Sequence, residues 1–205
     1  MDPAAFALTF TMWIVMMAGM MLPGAAPTVL LYGAMVRKHA ERALVLPAVW
    51  VFVSGYLLVW AAFSVAAALL QAALENAALL SPMMASASQP LNGALFIAAG
   101  VYQLTPLKQR CLGKCRNPVP FFMTHWRPGT AGALRMGIAH GAYCVGCCWM
   151  LMLILFAVGV MNLAWVALIA ALVFIEKLLP AGRLTSRFAG AALIVVGLAV
   201  LGSAA

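Results

Sequence analysis

Long apolar runs separated by three basic windows constrain this chain more than any other feature of its sequence. The residues are 66% hydrophobic and 8% charged, and all twelve Lys and Arg residues lie within 37–42, 108–135 and 177–187. No soluble domain of this size needs so much apolar surface, so the lipid bilayer must be the solvent of the runs. The net charge of +8 is distributed as in a multi-pass membrane protein, and we expect no nucleic-acid partner.

The apolar runs predict an all-α, polytopic transmembrane helix bundle of about six spans, in one integral membrane domain over residues 1–205. Pro23 and Pro27 predict that the first span is kinked or divided into two helices. The uncharged segment 81–90 is predicted to be an external loop. The predicted spans are 3–36, 43–74, 91–107, 136–160, 163–175 and 188–201.

The basic windows follow the first, third and fifth predicted spans, so the positive-inside rule places these loops in the cytoplasm and both termini outside. Asp2 and the absence of Lys or Arg ahead of the first run predict that this stretch is not a cleaved signal peptide. Phe121, Phe122 and Trp126 lie in the second basic window. Part of that window is therefore expected in the headgroup region, as an aromatic belt segment.

The fourth predicted span carries one imidazole and three thiols, at His140, Cys144, Cys147 and Cys148. At about 100° per residue the first three fall within roughly 60° of one another, and Cys148 lies at the next edge. Polar groups in hydrocarbon are costly, and soft sulfur ligands select Cu(I), with Zn(II) as the alternative. We favour a metal-ligand or redox role, although cysteine also packs as a small hydrophobe. Gly137-x3-Gly141 is interpreted as a close helix contact.

The first span contributes methionines to the same hypothesis. Met12, Met16 and Met20 are spaced i, i+4, i+8 and cover roughly 80° of one face. Counting residues from opposite membrane surfaces puts Met16 and Cys147 at a similar depth, about 15 Å. Met16 and Met20 are therefore candidate metal ligands, while packing is the more common role of methionine in a core.

A second pair of thiols, Cys111 and Cys115, lies in the cytoplasmic window at i, i+4. The pair is interpreted as a transient metal-docking site or as plain reduced thiols, and its cationic neighbours predict thiolate character. Glu176-Lys177 is interpreted as a snorkelled interfacial pair. With five cysteines in all, an odd number, a secreted disulfide framework is not expected.

Polar residues near the end of the third span, Tyr102, Gln103 and Thr105, are interpreted as interhelical hydrogen-bonding groups. The sequence has no phosphate-binding glycine loop and no Ser-His-Asp pattern. Its four acidic residues lie far apart. We therefore expect no hydrolytic enzyme.

Several motifs resemble those of a bacterial family of metal-binding integral membrane proteins that are often labelled copper chaperones. The resemblance covers nearly the whole chain and implies a copper-binding, multi-span protein of the bacterial inner membrane, with Cys144, Cys147 and Cys148 as ligands and Cys111 and Cys115 next. The motifs are Trp13-x2-Met16-Met17-x2-Met20-Met21-x-Pro23, Tyr102-Gln-x-Thr105-Pro, Cys111-x3-Cys115, Gly141-x2-Cys144-x-Gly146-Cys147-Cys148-Trp149 and Glu176-Lys177-x2-Pro180.

Three functions follow as hypotheses. The leading one is a Cu(I)-binding membrane protein that holds copper or delivers it to a partner metalloprotein. The second is a transmembrane thiol-disulfide electron relay. The third is a structural subunit of a membrane complex or oligomer whose cysteines only pack.

Overall fold

The computed structural model describes residues 3–39, 42–80, 88–179 and 181–203. Within these ranges the chain forms eight helices and no extended sheet, which confirms the predicted all-α class. Residues 81–87 of the predicted external loop lie outside the described ranges. The helices are α1 (Pro3–His39), α2 (Arg42–Asn76), α3 (Gln89–Leu104), α4 (Pro106–Arg116), α5 (Pro118–His125), α6 (Gly129–Val158), α7 (Leu163–Leu178) and α8 (Gly182–Gly202).

Four of the helices in the described part of the chain, α1, α2, α6 and α8, are long and apolar enough to cross a membrane. The predicted number of six spans is not confirmed. The remaining two predicted spans correspond to α3 and α7, which have 16 residues each. At 1.5 Å per residue such a helix is about 24 Å long, shorter than a hydrocarbon core of about 30 Å.

The first span is one helix of 37 residues that contains both Pro23 and Pro27. The alternative of two separate helices is therefore wrong. Each proline removes one backbone hydrogen bond. In an apolar solvent the neighbouring peptide groups have no better partners than those within the helix, so the helix continues past both prolines.

Helix α6 lies at the centre of the bundle and packs against α2, α3, α4 and α7. Its contact with α2 is a backbone contact, because a Cβ atom added at Gly137 would lie 2.0 Å from the carbonyl oxygen of Phe52. A Cβ atom at Gly55 of α2 would meet the Leu134 carbonyl oxygen at 2.5 Å. The predicted close helix contact at Gly137 is thus confirmed, with α2 as the partner.

The segment predicted as an aromatic belt folds instead into α4 and α5. Phe121 and Phe122 are fully buried, and the Phe122 ring packs against Tyr32 and Phe52 of α1 and α2. The belt prediction is wrong for these two phenylalanines, because α5 packs on α1 and gives them a protein core instead of lipid headgroups. Trp126, which is half-buried, packs on the edge of the same cluster.

Candidate functional site

Four of the five cysteines come together where α4 packs against α6. Cys144, Cys147 and Cys148 of α6 are buried, as is Cys115 of α4. The Cys115 thiol faces the thiols of Cys144 and Cys147. Cys115 is therefore part of this group and does not form a separate pair with Cys111 as predicted, because the turn at Thr105 sends α4 back against α6.

The methionine that reaches these cysteines is Met21 of α1. Its Sδ lies 3.8 Å from the Cys148 Sγ, and its side chain is fully buried. We call Met21 and the four buried cysteines the sulfur cluster. The predicted ligands Met16 and Met20 lie elsewhere on α1, where both line a surface groove of about 640 Å³ together with Met12 and Met161.

A lysine completes the surroundings of Cys144. The Nζ atom of Lys177 lies 3.0 Å from the Cys144 Sγ and 3.7 Å from the Met21 Sδ. The lysine side chain is only 5% exposed. The family motif Glu176-Lys177-x2-Pro180 was its signal in the sequence, but the motif does not show that Lys177 meets the cysteines, because it lies on α7, far along the chain from them.

Glu176, the neighbour of Lys177, makes different contacts. It accepts hydrogen bonds from Lys108 Nζ at 2.6 Å and from Gln103 Nε2 at 2.9 Å. The interpretation of Glu176 and Lys177 as a snorkelled pair at the interface is therefore wrong. Because α7 packs against α1 and α4, its last turn is enclosed by protein, and the two side chains point to different partners.

The hydrogen bonds of the third-span polar residues agree with their predicted role in two cases. Gln103 bonds to Glu176, and the Tyr102 hydroxyl donates to the carbonyl oxygen of Gly146 on α6. Thr105 acts locally instead, since its hydroxyl oxygen accepts from the Lys108 backbone N–H and caps α4.

Two aromatic groups on α2 and α6 border the cluster. The Tyr56 hydroxyl lies 3.1 Å from the Cys144 Sγ and donates to the Met21 carbonyl oxygen at 3.2 Å. The His140 ring stacks on Tyr56 with centroids 5.8 Å apart. His140 Nδ1 is buried and has no hydrogen-bond partner within the described ranges. His140 therefore lies next to the cluster, one aromatic ring away from the nearest sulfur.

The thiols are not arranged in advance around a common point. Cys147 and Cys148 both donate to the carbonyl oxygen of Cys144, at 3.1 and 3.0 Å. Accordingly, no group of three or more His, Cys, Asp or Glu side chains in the described part of the chain is placed to hold a metal ion. Thiol and thioether sulfur is nevertheless the donor set that Cu(I) prefers. Rotation of a cysteine about χ1 would free its sulfur from the carbonyl.

Cys111 lies beside the cluster and is half-buried, with its Sγ 3.0 Å from the position of a Cβ atom added at Gly146. Burial, together with the nearby Cys147, raises the pKa of the Cys111 thiol. Hydrogen bonds to Cys144 and Cys147, with burial, raise the pKa of Cys115 well above its ordinary value. The predicted thiolate character of this pair is wrong, because the cationic side chains of α4 turn elsewhere, as Lys108 does towards Glu176.

Comparison with known proteins adds one finding. The model of the PpoB2 family, described as a copper chaperone, matches residues 10–200 of this chain. The matched region includes every residue of the sulfur cluster. No curated protein and no solved structure matches the chain.

Proposed function

The chain belongs to the PpoB2 copper chaperone family, and from this premise we propose that it carries Cu(I) in the sulfur cluster and delivers it to a partner metalloprotein. The observation that supports this proposal is the convergence of four thiols and one thioether from three helices in a buried place. Cu(I) is here the cargo of the protein.

The chemistry of the cluster favours copper over zinc. Four cysteine thiols are also the ligand set of a closed structural zinc site, so the fifth member of the cluster, Met21, makes the difference. The thioether of Met21 is a soft neutral ligand, which suits Cu(I) and adds little for Zn(II). An ion without hydration in this apolar core needs such ligands to offset its desolvation.

The position of the cluster in the fold supports delivery as part of the proposal. Its residues belong to α1, α4 and α6, and α1 and α6 are long enough to cross a membrane. We place the basic loops in the cytoplasm of a bacterium by the positive-inside rule, with the bundle in the inner membrane. Copper held between α4 and α6 would then pass to a metalloprotein that docks on the bundle.

Metal analysis of the detergent-purified full chain tests the proposal. After loading with Cu(I) under reducing conditions, the protein is expected to retain about one copper ion per chain. Cys144→Ser should lose it, because Cys144 contacts the other three cysteines of the cluster. Cys111→Ser removes a thiol outside the cluster and is the matched control. A metal-free wild-type protein, or equal copper in Cys144→Ser, contradicts the proposal.

A thiol-disulfide relay is the second candidate, favoured by the contact of Cys115 on α4 with Cys144 and Cys147 on α6. Thiols from different helices within reach of one another can exchange electrons. All five cysteines are described, and all are free.

A further inference from the structure

Lys177 carries a buried cationic group whose close partners are sulfur atoms. Its Nζ contacts the Cys144 Sγ at 3.0 Å and the Met21 Sδ at 3.7 Å. Among the described residues, no carboxylate forms an ion pair with it. A buried ammonium group is costly unless an anion or several good acceptors surround it. The Cys144 sulfur is the group placed to supply that negative charge.

The neighbouring carboxylate does not serve this purpose. Glu176 is engaged by Lys108 and Gln103, at 2.6 and 2.9 Å, and the pair with Lys108 is electrically neutral. The positive charge of Lys177 is thus left to interact with the sulfur atoms of Cys144 and Met21.

Helix α1 provides the surface along which the Lys177 side chain lies. A Cβ atom added at Gly24 would lie 3.1 Å from the Lys177 Cδ and 3.6 Å from its Nζ. Gly24 follows Met21 by about one helical turn. The missing side chain at this position lets the aliphatic part of Lys177 lie against α1, with its ammonium group next to the Met21 thioether.

We propose that the Lys177 ammonium group is a tethered substitute for the cargo, which Cu(I) displaces on loading and which promotes copper release when it returns. This inference rests on the proposed function, and it makes Lys177 a residue that determines ion selectivity and release. A chaperone must give up its ion, and a competing cation fixed beside the ligands increases the probability of release at any copper concentration.

The exchange balances in charge and atoms. The contact between the lysine N–H and the Cys144 sulfur breaks, and a copper–sulfur bond forms at the same sulfur. The ammonium group keeps its proton and withdraws, the ion stays Cu(I), and no electron is transferred. At the Cys144 sulfur one monovalent cation replaces another, while the tethered ammonium group stays within the protein and repels the bound ion. A divalent ion would need a second thiolate, with a proton lost from Cys147 or Cys148, and the retained ammonium group would repel it more strongly than Cu(I), which disfavours zinc.

The test measures the rate at which copper leaves the full-length, detergent-purified protein. Wild type and variants are loaded with Cu(I) under reducing conditions and mixed with an excess of a coloured Cu(I) chelator. Lys177→Leu and Lys177→Gln lack the competing cation and should release copper at least about tenfold more slowly. Both should also bind more Zn(II) relative to Cu(I). Lys177→Arg, which keeps the charge, should release copper faster than either neutral variant.

Lys114→Gln is the matched control, since it removes a positive charge from α4 without touching sulfur, and it should behave as wild type. Lys177→Leu leaves no carboxylate unpaired, because Glu176 keeps Lys108. The release rate of either neutral variant, Lys177→Leu or Lys177→Gln, is sufficient for the test. Release as fast as wild type from a neutral variant that binds copper overturns the exchange and leaves the proposed function intact. A wild-type protein that binds no Cu(I) overturns the proposed function itself.

Discussion

Lys108 Nζ lies 2.6 Å from a carboxylate oxygen of Glu176, and the two side chains are 0% and 2% exposed. This pair joins the first turn of α4 to the last turn of α7. It also fixes which buried lysine is neutralised by a carboxylate. Lys108 takes the carboxylate, and Lys177, one residue further along α7, is left to the sulfur of Cys144.

Glu176→Gln is expected to destabilise the protein by about 3–5 kcal/mol, because it leaves the Lys108 ammonium group buried without an anion. Thermal unfolding of the purified protein in detergent measures the change. The double variant Lys108→Met with Glu176→Gln removes both charges and should recover most of the lost stability. A melting temperature of Glu176→Gln equal to that of wild type contradicts the assigned pair.

Met21→Leu is expected to weaken Cu(I) binding about tenfold, or about 1.4 kcal/mol, while keeping the fold. Leucine preserves the volume of the side chain, so the cost in stability should stay below about 1.5 kcal/mol, but it removes the thioether that faces Cys148. Competition with a Cu(I) chelator measures the affinity. Met16→Leu, on the groove side of α1, is the matched control. An equal loss in both variants would indicate a general effect of α1 packing.

The sequence predicted six of the eight described helices, all except α4 and α5, because in a bilayer every apolar run must satisfy its own backbone hydrogen bonds as a helix. Helix α7 begins at Leu163 as predicted, and the first span begins at Pro3. The number of six spans is not confirmed, since two of the runs form helices of only 16 residues. Hydropathy measures how apolar a run is, and packing decides whether it crosses.

The composition of the cluster was predicted only in part. Periodicity on α6 grouped its cysteines, but one helix cannot show which residues of other helices meet it. A signal for Met21 was present in the sequence, because Trp13, Met17 and Met21 are spaced i, i+4, i+8 and so share one helix face. The structure buries all three side chains completely. A signal against a pair of Glu176 with Lys177 was present too. Adjacent residues on a helix do not face each other.

Gly137→Ala is expected to destabilise the bundle by about 1–3 kcal/mol, since the new methyl group would overlap the Phe52 carbonyl oxygen and push α2 away from α6. The displacement of α2 would also move Tyr56 away from Cys144, so copper binding should weaken. Thermal unfolding and copper affinity are measured on the same samples. Gly19→Ala is the control, because a Cβ atom there has no neighbour within 4 Å. Equal stability of the two variants contradicts the close contact.

Thiol trapping separates copper carriage from electron relay. A copper carrier keeps its thiols reduced, so alkylation of denatured protein should add the same mass whether or not the membranes were first treated with a reductant. The five free cysteines then give five adducts in both samples. A relay would instead pass through a disulfide between Cys115 and a cysteine of α6.

Cys115→Ser provides the second arm of this experiment. In a relay it would leave Cys144 and Cys147 without their partner on α4, and the redox-dependent difference in alkylation would disappear. In a copper carrier there is no such difference to lose, and the substitution lowers only the copper affinity, because three cysteine thiols and Met21 remain in the cluster. Fewer than five adducts in untreated wild-type membranes, restored by reductant, would therefore favour the relay over copper carriage.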